Sequence, residues 1–421
     1  MRIEILCTGD EVLSGKTINT NYSHMARRLQ EVGLDVVWGT TVGDDRESLV
    51  EAFKLAGARA DAVIVNGGLG PTVDDLSQEV AAEAAGVGLK LDEGWLKHIE
   101  TFYAARGRVM PPNNKKQAML PEGSELIDNP VGTACGFALT IGKAKFYFTP
   151  GVPREIRHML EHQLIPRLLA QSGTQAVVRL KRFHSFGMGE SRVDDMLKGA
   201  EDLAEGGEVK LGFQAHYPQL ETKLFGRGQS MEELETRMAP IEAAIRERMG
   251  AYILSEDTDT LESVILKAMA GGTLAVAEYG TNGAVAGRMV AIDSDGKVFK
   301  RGGVGGTIRA LGRALGLGEA YDRATASTAK AYAEAVADTS SASHGLAVLI
   351  APADEGNSGE GMVQIAVARS GQDTIVRSAC IVGGPDRVRN GGVEMGLDGL
   401  RRILQGLSAA DPVDFERKDA T

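Results

Sequence analysis

The stretch AVIVNGGLGPTVDD, residues 62–75, decides the fold. Ala62–Asn66 is a short apolar run of the kind that forms a strand buried on both faces. The nine-residue glycine turn GGLGPTVDD follows, and then a helical pattern over Leu76–Ala85. The same order recurs upstream. Ile3–Cys7 reads as a strand ending in Thr8-Gly9-Asp10-Glu11, and Asn21–Val32 reads as a helix stopped by Gly33. Asp35–Thr41 reads as a second strand ending in Val42-Gly43-Asp44-Asp45, with a helix over Arg46–Ala56. Lys145–Phe148 is a later strand, leading through TPGVPRE into another helix. Strand, turn and helix in alternation predict an α/β fold with a mostly parallel sheet and helices on both faces.

Strand ends in such sheets converge on one crevice, so the three polar turns are expected to line a common site. The candidate ligand-facing residues are Thr8, Gly9, Glu11, Asn21, Gly67, Gly68, Gly70, Pro71 and Thr72. Glycines let backbone approach a phosphate, and the following helix offers free N–H groups and a positive dipole end. Asp44 and Asp75 stand beside that cradle. Two carboxylates facing a phosphate repel it unless a cation intervenes, so a divalent metal (Mg, Mn or Co) held by Asp44 and Asp75 is expected. The spacing fits neither a Walker A loop nor GxGxxG. Taken singly, each turn also reads as an ordinary loop, with Asp74 and Asp75 capping the next helix.

The composition sets bounds. The 421 residues include 53 glycines, without the three-residue period of collagen, and 43% apolar residues, too many for wholesale disorder. Aromatics are 5%, so cores are expected to be mainly aliphatic. A formal charge of −11 and no dense Lys/Arg run disfavour nucleic acid as a partner. Three scattered cysteines argue against a disulfide framework or a cysteine zinc site. No apolar run is long enough for a membrane span, and no signal peptide is recognised at the start, so a cytoplasmic location is expected. Past a compositional shift near 172–175, strands are expected at Val177–Phe186, Val209–Ala215 and Glu221–Gly226, with a helix over Met231–Met249. A further unit has helices over Leu261–Ala270, Ala324–Ala337 and Val393–Leu407. Its strands are Leu274–Ala277, Leu346–Ile350 and Val363–Val367. The expected domains are 1–172, 173–255 and 256–412, with a polar, fraying tail over 413–421. His184 and His216 read as partly buried strand residues, not as metal ligands.

TGDEVLSG, NTN, TVGDD and GGLGPTVDDL, in that order, resemble the molybdopterin-binding (MoaB/MogA-like) fold, in the variant found in the competence/damage-inducible CinA family. NNKKQAMLPEG (113–123), NPVGTACGF (129–137) and TPGVPREI (149–156) extend the resemblance. It implies a metal-dependent pyrophosphatase acting on a small-molecule nucleotide, ADP-ribose, in a homodimer. It puts Asn113 and Gln117 near the ligand and makes Lys116 a phosphate contact and candidate catalytic residue. Gly132 and Thr133 lie in a further polar turn that fits phosphate. Residues 175–255 resemble the family's KH-like middle domain, without a GXXG clamp between helices.

The segments 274–289, 301–319 and 383–404 resemble the CinA C-terminal domain, whose active members are nicotinamide mononucleotide deamidases. Active members carry a serine nucleophile where this chain has Tyr279, followed by Thr281 and Asn282. A tyrosine and a lysine of their second motif fall on Thr307 and Gly312. Their third loop corresponds to 349–361. An activated serine needs a base within reach, and both are missing, so a degenerate site is expected. Three functions are carried forward: nucleotide pyrophosphate hydrolysis, nicotinamide mononucleotide amidohydrolysis, and a non-catalytic molybdopterin- or nucleotide-binding scaffold.

Overall fold

The apolar runs do form strands, and their burial explains their direction. The computed structural model describes residues 1–173, 177–205, 209–352 and 359–417. The chain divides into two compact units. The first comprises Met1–Arg179 and Arg227–Met231, and the second takes in Leu180–Gly226 and the chain from Glu232 on.

In the first unit the strands are β1 (Ile3–Thr8), β2 (Val36–Val42), β3 (Ala62–Asn66), β4 (Leu89–Leu91), β5 (Met119–Pro121), β6 (Glu125–Ile127), β7 (Gly136–Ile141) and β8 (Ala144–Thr149). Six of them form a sheet in the order β2-β1-β3-β8-β7-β6. β1, β2, β3 and β8 run parallel, while β7 and β6 add an antiparallel edge. Every residue of β1 and β3 is buried, as central strands covered on both faces require. One face packs on Met25, Leu29, Ile156, Met159 and Leu160. The other holds Phe53, Phe137, Phe146 and Phe148, with the Phe137 and Phe148 rings stacked at 4.4 Å. Apart from these phenylalanines and Trp95, the buried residues of this face are aliphatic or small, as the composition leads one to expect. Asn19 and Asp45 cap the helices Thr20–Glu31 and Arg46–Arg59 by accepting from Tyr22 and Ser48 amides. Asp75 does not cap the helix Ser77–Ala85, which starts at Leu76 without a side-chain cap.

In the second unit β9 (Val177–Phe186), β10 (Val209–His216), β11 (Gln219–Gly228) and β12 (Ile253–Glu256) form a sheet in the order β10-β11-β9-β12. The helix Met231–Met249 accompanies it. His184 is part-buried, but His216 is exposed. A second sheet orders β13 (Leu274–Tyr279), β14 (Phe299–Val304), β15 (His344–Pro352), β16 (Glu360–Arg369) and β17 (Ile375–Val382) as β14-β13-β15-β16-β17. The last helix runs Pro385–Leu404, eight residues earlier at its start than the apolar period suggests. Its glycines look like breakers in sequence, yet they let it press on the sheet: a Cβ at Gly392 would lie 2.7 Å from Ile350. The expected fraying does not hold as far as residue 417. Val413 is buried, Phe415 packs on Phe186 and Tyr217, and Asp414 accepts from the Gly189 amide at 2.8 Å.

Two charge clusters hold this unit. Asp398, Arg401 and Arg402 are each 2% exposed, and the Asp398 carboxylate accepts from Arg401 Nε at 2.8 Å and Arg402 Nε at 2.7 Å. Asp398→Ala removes the carboxylate that two buried guanidinium groups share, leaving Arg402 with Asp411 and Arg401 with neutral acceptors. It is expected to cost about 3 kcal/mol in chemical denaturation; a loss within error would contradict the account. Glu256 accepts from Arg246 and pairs with Lys181, which holds its carboxyl down to about 2 from an ordinary 4.5. A depressed carboxyl contributes stability that is complete above about pH 4.5 and fades as pH falls toward 2. The stability gap between wild type and Glu256→Gln should therefore narrow across that window, as followed by urea denaturation at stepped pH.

Candidate active site

The ends of β1, β3 and β8 open into a crevice of about 640 Å3. β1 ends in Thr8, which is 6% exposed and whose hydroxyl has no hydrogen-bond partner among the described residues. Above it, Gly67 has φ +118°, and a Cβ there would lie 2.5 Å from Thr8 Oγ1. Only glycine fits that backbone and that gap. The first residue of the following helix holds the turn: Ser77 Oγ donates to the Gly67 carbonyl at 2.9 Å, and its amide donates to Gly68 O at 3.0 Å. The amides of Gly68, Leu69 and Gly70 donate to nothing among the described residues, leaving a backbone surface suited to an anion.

β3 ends in Asn66, which is 5% exposed. Its Nδ2 donates to Thr149 Oγ1 at 3.2 Å and to Pro150 O at 2.7 Å, and its Oδ1 accepts from Asn21 at 2.9 Å. Asn21 also donates to Gly151 O at 2.7 Å. One carboxamide network therefore fixes three chain segments around the crevice.

Of the expected residues, Thr8, Gly9, Glu11, Asn21, Asp44, Gly67, Gly68, Gly70, Pro71, Asp75, Gln117 and Thr133 line the crevice. Thr72, Asn113, Lys116 and Gly132 are not among its lining. Lys116 instead donates to the Thr72 carbonyl at 3.1 Å and pairs with Glu79 at 3.4 Å. Asn113 reaches Pro71 O at 3.5 Å, and Gln117 reaches Leu69 O at 3.2 Å. The segment 113–117 thus braces the glycine turn from behind by taking up its carbonyls. Asn66, Asp74, Gly151 and Glu155 also line the crevice and went unmarked as site residues. For Asn66 the signal was present, as a polar residue closing an otherwise apolar strand.

Five carboxylates line the crevice, Glu11, Asp44, Asp74, Asp75 and Glu155, and no Lys, Arg or His does. Burial, then the charges of Asp10, Glu11 and Asp74, push the Asp44 carboxyl up, against the Asp10 amide that donates to it at 3.1 Å. Asp75 accepts from the amide and hydroxyl of Thr72, closing its own turn. Burial raises Glu155, while a hydrogen bond from Asn129 opposes that shift. Acidic donors beside an orphaned hydroxyl and open amides fit a hard cation that brings an anionic ligand. Among the described residues no group of three or more His, Cys, Asp and Glu side chains is arranged to hold a metal alone. Ligand and water oxygens would complete its shell.

The corresponding end of the second sheet differs. Tyr279 closes β13, and Asn282 has φ 57° before the helix Ala284–Ile292. Glu278 is fully buried and accepts from Thr281 and from the Val285 and Ala286 amides, both at 3.0 Å. That helix start is filled by the chain's own carboxylate. Thr307 caps the helix Ile308–Ala314, and Gly312 faces the Tyr332 hydroxyl, 2.7 Å from where a Cβ would sit. Residues 353–358 of the third loop lie outside the described residues.

Three family models match the chain, one after another. Residues 4–170 match a "Probable molybdopterin binding domain", 180–254 the "Damage-inducible protein CinA KH domain" and 258–404 the "CinA C-terminal domain". A "CinA-like protein" of Shewanella woodyi is 35% identical over 415 residues, 96% of each chain. One of Frankia casuarinae is 36% identical over 426 residues, 97% of each. A Shewanella oneidensis protein named "Nicotinamide-nucleotide amidohydrolase PncC" is 37% identical over 322 residues, 76% of this chain and 74% of that protein. No helix among the described residues is long and apolar enough to cross a membrane. With relatives matching nearly end to end and three segments in the same order, the chain belongs to the CinA family.

Proposed function

We propose that the crevice of the first unit binds a nucleotide by its pyrophosphate and hydrolyses it to two monophosphates, with ADP-ribose as the substrate the family resemblance suggests. One observation carries this reading: an open-amide glycine turn faces a crevice lined by five carboxylates and no cationic side chain. Carboxylates alone repel a phosphate, so the lining suits an anion that arrives with a divalent cation. Asp44 and Asp75 would hold that cation, which supplies charge neutralisation and a water made more acidic. The amides of residues 68–70 receive phosphate oxygens, and Thr8 supplies a hydroxyl that is otherwise unused. Asn21 and Asn66 keep the surrounding loops in place.

The second reading is amidohydrolysis of nicotinamide mononucleotide by the second unit, favoured by the name of the Shewanella oneidensis relative. Against it stand Tyr279, Thr307 and Gly312 at the expected catalytic places, with Tyr332 packed where a longer side chain at 312 would start. Incubation of the full chain with ADP-ribose and a panel of Mg, Mn and Co should yield AMP. Asp44→Asn and Asp75→Asn should each lower the rate by about a hundredfold or more, with the circular dichroism spectrum retained. Ammonia release from nicotinamide mononucleotide, with no AMP from ADP-ribose, would replace the first reading by the second. Nucleotide binding with neither product would leave a binding protein.

A further inference from the structure

Glu155 is one of three acids in the crevice, with Glu11 and Asp74, that the proposed cation chemistry does not use. It lies in the first turn of the helix Pro153–Met159, at the end of the loop leaving β8. Its Oε2 accepts from Asn129 Nδ2 at 2.8 Å. Asn129 is fully buried, and the same amide donates to Ala134 O at 2.7 Å, so the carboxylate is held from behind by a fixed donor. Gly132 leaves the space that the Glu155 carboxylate fills. No other side chain among the described residues hydrogen-bonds to that carboxylate, and no ion pair involves it.

Glu155 also stands apart from the acids around Asp44. In the sheet order β2-β1-β3-β8 the loop after β8, which carries Glu155, lies three strands from the end of β2, which is followed by Asp44. Glu155 therefore enters the crevice from a different strand end than its other carboxylates. Val152, 51% exposed, and Ile18, 84% exposed, line the same crevice and offer apolar surface. A rigid carboxylate with free lone pairs calls for hydroxyl or N–H donors. On a nucleotide whose phosphates sit at the glycine turn, the nearest such pair is the vicinal diol of the adjoining ribose. The base beyond it would meet apolar side chains.

We propose that Glu155 receives the ribose 2′,3′-diol of the bound nucleotide, making the crevice selective for ribonucleotides over deoxyribonucleotides. This rests on the crevice being a nucleotide site, and it does not require hydrolysis there. Titration of the full chain in Mg2+ with ADP, 2′-deoxy-ADP and inorganic pyrophosphate tests it. Wild type should bind ADP about tenfold or more tighter than 2′-deoxy-ADP, the range of a hydrogen bond to a charged group. Glu155→Ala should abolish the discrimination and Glu155→Gln keep a part of it, with pyrophosphate affinity unchanged in both. Equal binding of the two nucleotides by wild type overturns the proposal even if ADP-ribose is hydrolysed. A discrimination that survives Glu155→Ala, or a matching loss of pyrophosphate affinity, also overturns it. Discrimination lost in Glu155→Ala without AMP formation by any metal keeps the proposal and removes hydrolysis.

Discussion

The carboxamide of Asn66 is the constraint on which the first unit's crevice depends. It sits at the C-terminal end of a fully buried parallel strand, where ladder partners run out and backbone carbonyls need donors. By donating to Thr149 and Pro150 and accepting from Asn21, it joins the ends of β3 and β8 to the helix that follows β1. Such a network defines one loop arrangement because any half-satisfied alternative is costly at this depth. With those loops fixed, the glycine turn can leave its amides open beside the carboxylates that line the same crevice.

Much of this was legible in the sequence, and the reasons are physical. Apolar runs such as 62–66 announce buried parallel strands, and the three polar turns after them had to meet because parallel strands end on one side. Twelve residues expected in the site do line one crevice. Lys116 and Asn113 are placed near the ligand by the family resemblance alone. In the structure they donate to the carbonyls of Thr72 and Pro71, partners that only the three-dimensional path of residues 111–118 reveals. Glu155 and Asn129, 26 residues apart, have no local signal at all.

The C-terminal helix illustrates the opposite failure. Gly391, Gly392, Gly396 and Gly399 depress helix propensity, so the pattern reads as beginning late. The missing Cβ atoms permit a close approach to β15, and that packing outweighs propensity. The tail was misread for a related reason. Val413 and Phe415 are isolated apolar residues in a polar stretch, too few to make a pattern but enough to seal an edge.

Tyr332 carries a consequence beyond packing. Its hydroxyl donates to the Ile308 carbonyl at 2.6 Å and lies over Gly312. A side chain larger than hydrogen at 312 would therefore meet a bulky core residue whose own polar atom is satisfied. Position 312 can change only together with the core that packs over it, so a substitution there and one at Tyr332 should be strongly non-additive.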